Sequence, residues 1–483
     1  MTCRRLIFAV LITVLWAVSV GAAGTSVLSL SPQAVVDLAL ERSFGVKQAE
    51  LTKEVVAQGV GLAKGTFDTH LGLEGSHEID KSKRESPIFG TRIDTTIWNL
   101  GLSKELPIGT ELGLAFTNVR KKTTGSVVGG IQIIPPQPLY EPVLGFSLSQ
   151  PLMRNVFGKL DRGAVKEARL AYASADFATQ RSIDLVVHQA LADYWALVFA
   201  RMHSRAMERS VRAARDFLNA TLEKRKLGTA EDTDELAARA NLMVRNNELL
   251  ALREVEREAA MRLRLDLELE PEISVETTEK GPAFVTERGR VEEKIKEALE
   301  RRGDYLSAKK ELERRNVRLS MAKNVRWPRM DLYSTLELNE IDTGYGDAVS
   351  GMDSPDWKVG LNFSVPLENR RARAGVRRAA AEKAIAVYAL KDVENQVANE
   401  VSVKDQEVLA RRRIVEDAET ALDLHHKKLR LEMAKYRQGR SSSEMIILYQ
   451  DDVVAAQRAR TAAWWSYRKA VLDLELAQAT IVD

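Results

Sequence analysis

The sequence predicts a mixed α and β fold built from two repeats of one unit, each unit combining strands with a very long helical hairpin. Three observations carry this. Gly158 to Lys226 and Arg370 to Gln438 are stretches of 69 residues without a proline. Both are preceded by segments that alternate apolar and polar residues with period two. Short sequence matches recur in the same order in both halves of the chain. Composition agrees: of 483 residues, 45% are hydrophobic, 29% charged and 6% aromatic, which excludes disorder and low complexity.

The N-terminus reads as an address. Arg4 and Arg5 form a positive start, and Leu6 to Val20 is a 15-residue apolar stretch without a charge. Gly21, Ala22, Ala23 and Gly24 supply the small residues of a cleavage site. The stretch is short for a transmembrane helix, which needs about 20 apolar residues. A secretory signal peptide is therefore expected over residues 1–23. The lone cysteine, Cys3, lies before the apolar stretch, so disulfides, cysteine-based zinc sites and thiol nucleophiles are excluded from the exported chain. Lys plus Arg number 71 against 68 acidic residues, a formal charge of +3. Without Arg4 and Arg5 it falls to +1, which argues against a nucleic-acid partner. The longest later apolar run, Tyr194 to Ala200, is far from spanning length, so any entry into a membrane is by strands.

The repeat shows in several places. Gly145-Phe-Ser-Leu-Ser-Gln-Pro-Leu152 matches Gly360-Leu-Asn-Phe-Ser-Val-Pro-Leu367, and Ala39-Leu-Glu-Arg42 matches Ala298-Leu-Glu-Arg301. Lys224 to Gly228 resembles Lys435 to Gly439. The helical pattern breaks between Glu270-Pro271 and Gly281-Pro282. The chain thus divides into a first repeat over 24–270, a linker over 271–287 and a second repeat over 288–483.

Each repeat opens with a helix. Ser31 is placed to cap the first, with Pro32 at its first position. In the strands that follow, Leu144, Phe146 and Leu148 share one face. In the second repeat Trp357, Val359, Leu361 and Phe363 do the same. Phe67, Trp98, Phe116, Tyr140, Trp327, Tyr333 and Trp357 lie in or beside strands. That suits the aromatic girdle of an outer-membrane barrel. Alternation alone fits a soluble sandwich equally well. Next come the long helices. Val401, Val408, Val415, Leu422, Leu429 and Tyr436 repeat every seven residues, a coiled-coil seam, while the companion stripe of Lys404, Arg411, Ala418 and His425 is partly polar. Each long helix meets a glycine, Gly228 or Gly439, and a second helix returns, about Asp234 to Glu268 and Glu444 to Gln478.

This layout resembles the TolC family of outer-membrane efflux proteins over nearly the whole exported chain. The residues that carry the likeness are the Ala34 to Leu40 helix, Gln150-Pro151-Leu152, the Trp357 to Leu367 strand with Pro366-Leu367, and the two glycine tips. The resemblance implies a homotrimer in which each protomer gives four strands to one shared transmembrane β-barrel. A coiled-coil α-helical barrel continues it through the periplasm. It implies an exit duct for drug efflux or type I secretion, with a periplasmic adaptor protein and an inner-membrane pump as partners and outer-membrane lipid around the strands. By the same resemblance the adaptor docks at Leu227, Gly228 and Thr229 and at Gln438, Gly439 and Arg440. Thr233-Asp234 follow the first tip as in the family, whereas the second tip lacks the flanking Val and the later Asp. The lipid-facing residues would be Leu144, Phe146, Leu148, Trp357, Val359, Leu361 and Phe363. Arg92 to Pro142 departs from the pattern: it holds a further alternating pair, Trp98-Leu100-Leu102 and Leu112-Leu114-Phe116, joined through Pro107-Ile108-Gly109. This segment either extends the strands or forms a surface loop, and Gly125 to Pro138 reads as an exposed loop.

Catalytic chemistry is not visible. The six histidines have no HExxH or i, i+4 spacing, and no nucleophile elbow, Walker or dinucleotide fingerprint is present. No cofactor, metal or enzymatic activity is expected. The resemblance puts Asp417, Asp423, Asp451 and Asp452 in the zone where such tunnels narrow. The alternative to a duct is a non-channel periplasmic coiled-coil scaffold.

Overall fold

The computed structural model describes residues 27–135, 137–279, 281, 283–285 and 289–482. The expected signal peptide lies outside them. Strand β1 (Val27–Leu30) is followed by helices α1 (Pro32–Arg42) and α2 (Phe44–Lys64). Ser31 caps α1 as its sequence position suggests: its hydroxyl accepts from the Ala34 amide at 3.1 Å. Strands β2 (Thr69–Asp80), β3 (Arg92–Glu105) and β4 (Glu111–Thr124) come next. The expected loop after β4 carries a two-rung ladder of β5 (Val127–Val128) and β6 (Ile131–Gln132) before β7 (Leu139–Pro151). Then follow α3 (Lys159–Lys226), α4 (Asp232–Asp266), β8 (Ser274–Thr277), α5 (Val291–Arg301) and α6 (Gly303–Val325). Strand β9 (Arg329–Asn339), the short α7 (Tyr345–Ser350), β10 (Ser354–Ser364), α8 (Arg370–Arg437) and α9 (Ser443–Gln478) complete the chain.

The two long helices have the same length, 68 residues, and their returning partners have 35 and 36. At 1.5 Å per residue each long helix is about 100 Å. Four of the six seam residues, Val401, Val408, Val415 and Tyr436, are buried, and Leu422 and Leu429 are half-buried. In the polar companion stripe Lys404 reaches Asp473 at 2.9 Å and Glu407 at 3.0 Å. An 18-residue window of α3 is apolar enough to cross a membrane by composition, but half of it is buried in the fold.

The chain forms two compact units, each drawing on both sequence halves. One comprises residues up to Ala39, Ala190–Ala283 and Ala418–Trp465. In it β1 pairs in parallel with β8, so the expected linker contains a strand. Arg201 fastens this pair by donating to the Val275 carbonyl at 2.5 Å and the Thr277 hydroxyl at 3.3 Å. Tyr194 donates to the Leu30 carbonyl at 3.3 Å. Phe199 stacks edge-on against Trp465 with ring centroids 5.8 Å apart.

The other unit comprises Leu40–Gln189, Phe284–Asp417 and Ser466–Asp483. Its sheet runs β10-β9-β7-β4-β3-β2, antiparallel throughout. The resemblance implies four strands per protomer; the sheet has six. The difference is the β3–β4 hairpin, inserted between β2 and β7. It pairs because its alternation is in phase with both neighbours, so no side chain has to change face. Arg302, between α5 and α6, is a buried charge of this unit. It is 4% exposed and bridges Asp304 and Glu400, each at 2.6 Å.

Candidate functional site

Two surfaces stand out, the sheet and the hairpin tips. Strand pairing aligns side chains into rows that cross the whole sheet. One row is Leu71, Leu102, Leu114, Phe146, Leu336 and Trp357. The next is Leu73, Leu100, Phe116, Leu144, Leu338 and Pro355. On the opposite face one row reads His70, Ser103, Gly113, Ser147, Thr335 and Lys358. The sheet is therefore apolar on one side and small or polar on the other. The apolar side lacks a covering layer where it meets solvent most: Leu73 is 79% exposed and Trp357 76%. A monomeric soluble protein rarely leaves so large an apolar face open.

All seven residues assigned to lipid from the sequence lie on this apolar face. Phe146 shares a row with Trp357, and Leu148 shares one with Val359 through Ser334. Leu361 and Phe363 continue it along β10 opposite Leu332 and Met330. The sequence reading did not include Leu71, Leu102 and Leu114 in that set. Their alternation was visible; that they join the same rows depends on pairing across the chain. The strands hold 11 to 14 residues, enough to cross a bilayer, which takes about 9–11 in a tilted strand.

The tips are built alike. At the first, the Gly228 amide donates to Arg225 at 2.9 Å and the Thr229 amide to Lys224 at 2.9 Å. At the second, the Gly439 amide donates to Tyr436 at 3.0 Å and the Arg440 amide to Lys435 at 2.9 Å. This is the Schellman pattern that closes a helix C-terminus, and both glycines take a φ of +71°. Neither glycine has a neighbour that a Cβ would meet, so the requirement is conformational. Leu227 beside the first is 77% exposed, an apolar side chain open to solvent rather than packed in a core. Phe217, Ala238, Tyr436 and Ile446 form the buried cluster behind the tips. Lys224 sits over the Tyr436 ring, 3.7 Å from its centroid, and donates to the Tyr436 carbonyl. The Tyr436 hydroxyl lies 3.1 Å from Thr221 and 3.2 Å from Ser443. A hydrogen bond from Arg225 holds the Glu235 carboxyl below its usual range.

Of the four aspartates in the expected narrow zone, Asp423 pairs with Lys427 at 2.6 Å and Asp452 with Lys428 at 2.9 Å. Asp451 pairs with Arg245. Among the described residues no group of three His, Cys, Asp or Glu is placed to hold a metal ion.

Residues 294–480 match the family described as outer membrane efflux protein. No curated protein sequence matches the chain. Solved structures share its fold. The Campylobacter jejuni CmeC outer membrane channel is 16% identical, covers 93% of this chain and 85% of its own, and gives a TM-score of 0.64. The open state of the Neisseria gonorrhoeae MtrE outer membrane channel is 14% identical over 96% and 94%, with a TM-score of 0.68. The outer membrane protein VceC of Vibrio cholerae is 14% identical over 92% and 95%, with a TM-score of 0.67.

Proposed function

We propose that this chain, whose residues 294–480 match the outer membrane efflux protein family, assembles as three copies into one passive exit duct. The six-stranded sheets close around a shared pore in the outer membrane. The long helical hairpins continue the duct into the periplasm. An adaptor seated on the tips at Leu227-Gly228-Thr229 and Gln438-Gly439-Arg440 connects it to an inner-membrane pump. The carrying observation is the pair of apolar rows that cross all six strands opposite rows of small and polar residues. An open sheet with that polarity cannot stand in lipid, because its edge amides and carbonyls would be unpaired; closure with other copies removes the edges. The unmatched first half enters the reading through the fold, since it supplies four of the six strands.

The test is reconstitution. Outer-membrane fractions should yield trimers that conduct ions in planar bilayers. A soluble periplasmic species without conductance would support a scaffold instead. For the tips, Leu227→Asp is expected to abolish export while trimers and conductance persist. Export that survives the charge would refute docking at this surface.

A further inference from the structure

We propose that the β3–β4 hairpin is part of the membrane wall, so that three copies enclose an eighteen-stranded barrel. This inference rests on the duct reading above. A twelve-stranded wall would follow from the four strands that the resemblance implies. Three copies of the sheet in this structure give eighteen.

Four observations converge. First, the hairpin is inserted in the sheet, not appended to it. Strand β3 pairs with β2 along all 12 residues of β2 and with β4 along all 14 of its own. Strand β4 in turn pairs with β7 from Glu111 to Lys121. Removing the hairpin to a surface loop would strip both ladders at once.

Second, its side chains obey the polarity of the rest. Leu102 and Leu114 lie between Leu71 and Phe146 in one apolar row. On the other face Gly101 and Ala115 lie between Gly72 and Gly145. A loop outside the membrane has no reason to keep that phase over two strands.

Third, the turn of the hairpin is seated. The Leu106 amide donates to Thr110 and the Gly109 amide to Leu106, both at 2.8 Å. The Thr110 hydroxyl hydrogen-bonds the Gln150 side chain at the end of β7. A Cβ on Gly158 would stand 2.0 Å from the Pro107 carbonyl oxygen, so the turn backbone lies directly on the corner between β7 and α3.

Fourth, the strands left with an open edge are β2 and β10, and both are exposed almost throughout. The apolar row reaches both edges, at Leu71 and at Trp357. A neighbouring copy that pairs β10 on β2 continues the row without a break.

The consequence is girth. With strands about 4.8 Å apart and tilted about 40°, eighteen strands close at roughly 36 Å across the backbone and twelve at roughly 24 Å. The membrane section is therefore about 1.5-fold wider and about twice as large in cross-section.

The test uses the exported oligomer in lipid nanodiscs, with single spin labels introduced through cysteine. Labels at Leu102 and Leu114 should collide preferentially with dissolved oxygen, and labels at Ser103 and Ala115 with a water-soluble nickel chelate. Leu361 and Asn362 on β10 report the wall itself. Alternation at 361 and 362, with nickel preferred at all four hairpin sites, overturns the inference and leaves the duct reading intact. Loss of alternation at 361 and 362 as well overturns both. Because a label could disturb assembly, electron cryomicroscopy of the unlabelled oligomer supplies a direct count. Eighteen strands in cross-section support the proposal, and any other number refutes it.

Discussion

Gly158 and Gly228 have nearly the same backbone conformation in opposite surroundings, and this makes them a matched pair. Their φ values are +64° and +71°. An alanine in the left-handed region costs about 1 kcal/mol whatever surrounds it. At Gly228 nothing lies within 4 Å of the added Cβ, so Gly228→Ala should cost about that and no more. At Gly158 the Cβ would stand 2.0 Å from the Pro107 carbonyl oxygen and 3.0 Å from the Gly109 amide nitrogen, both backbone atoms. No rotamer can relieve backbone, so the turn must move, and overpacking of this kind adds roughly 1–3 kcal/mol. Gly158→Ala should therefore cost roughly 2–4 kcal/mol, concentrated on the β3–β4 turn. Amide hydrogen exchange resolves where the cost falls. In Gly158→Ala the Leu106 and Gly109 amides should open some thirty-fold more often or beyond. In Gly228→Ala the Thr229 amide should open about five-fold more often, with the 106–110 turn unchanged. Equal effects from the two substitutions, or a silent 106–110 turn in Gly158→Ala, would refute the seating of the hairpin on the β7–α3 corner.

Two further outcomes are expected. Arg302→Ala leaves the Asp304 and Glu400 carboxylates without their shared cation and should destabilise the oligomer by about 3 kcal/mol, read from denaturant melts; Arg302→Lys should recover only part, because an ammonium cannot fork to both partners. Burial, followed by the neighbouring Asp193 carboxyl, raises Asp266 to about 7. Its folded state binds a proton that the unfolded chain releases near 4, so this group's contribution to stability falls as pH rises from about 4 to 7. Asp266→Asn should accordingly melt above the parent at pH 8, with the gap closing at pH 5; a gap independent of pH would show that Asp266 is not protonated in the fold.

Much of the fold is legible because it is periodic. The seven-residue seam from Val401 to Tyr436 and the proline-free stretches predict helices that the structure bounds within a residue, Lys159–Lys226 and Arg370–Arg437. The tips are legible for a different reason. A helix that must reverse needs a left-handed residue, and glycine is the residue that takes it without strain. What stayed closed to sequence reading is pairing. The parallel match of Val27–Leu30 with Ser274–Thr277 joins segments about 250 residues apart, and four residues are too few to show a period. Arg302 is similar. Nothing in a local window of a charged helix marks one arginine as the buried member, since Glu400 comes from a distant helix.

The hairpin shows why strand number is the least legible quantity of all. Insertion into an antiparallel wall is constrained twice. It must add an even number of strands, or β7 would run the wrong way and α3 would leave from the opposite face of the membrane. It must also preserve the phase of alternation, or the inserted strands would turn leucines into the pore. The segment from Arg92 to Thr124 meets both conditions: two strands, and a turn at Leu106–Thr110 that sets Leu102 against Leu114 and Lys104 against Leu112. A segment that satisfies both disturbs neither flanking strand, so β2 and β7 read in sequence as they would without it. In the duct proposed above, the wall then widens by whole hairpins without any change at the tips proposed for docking.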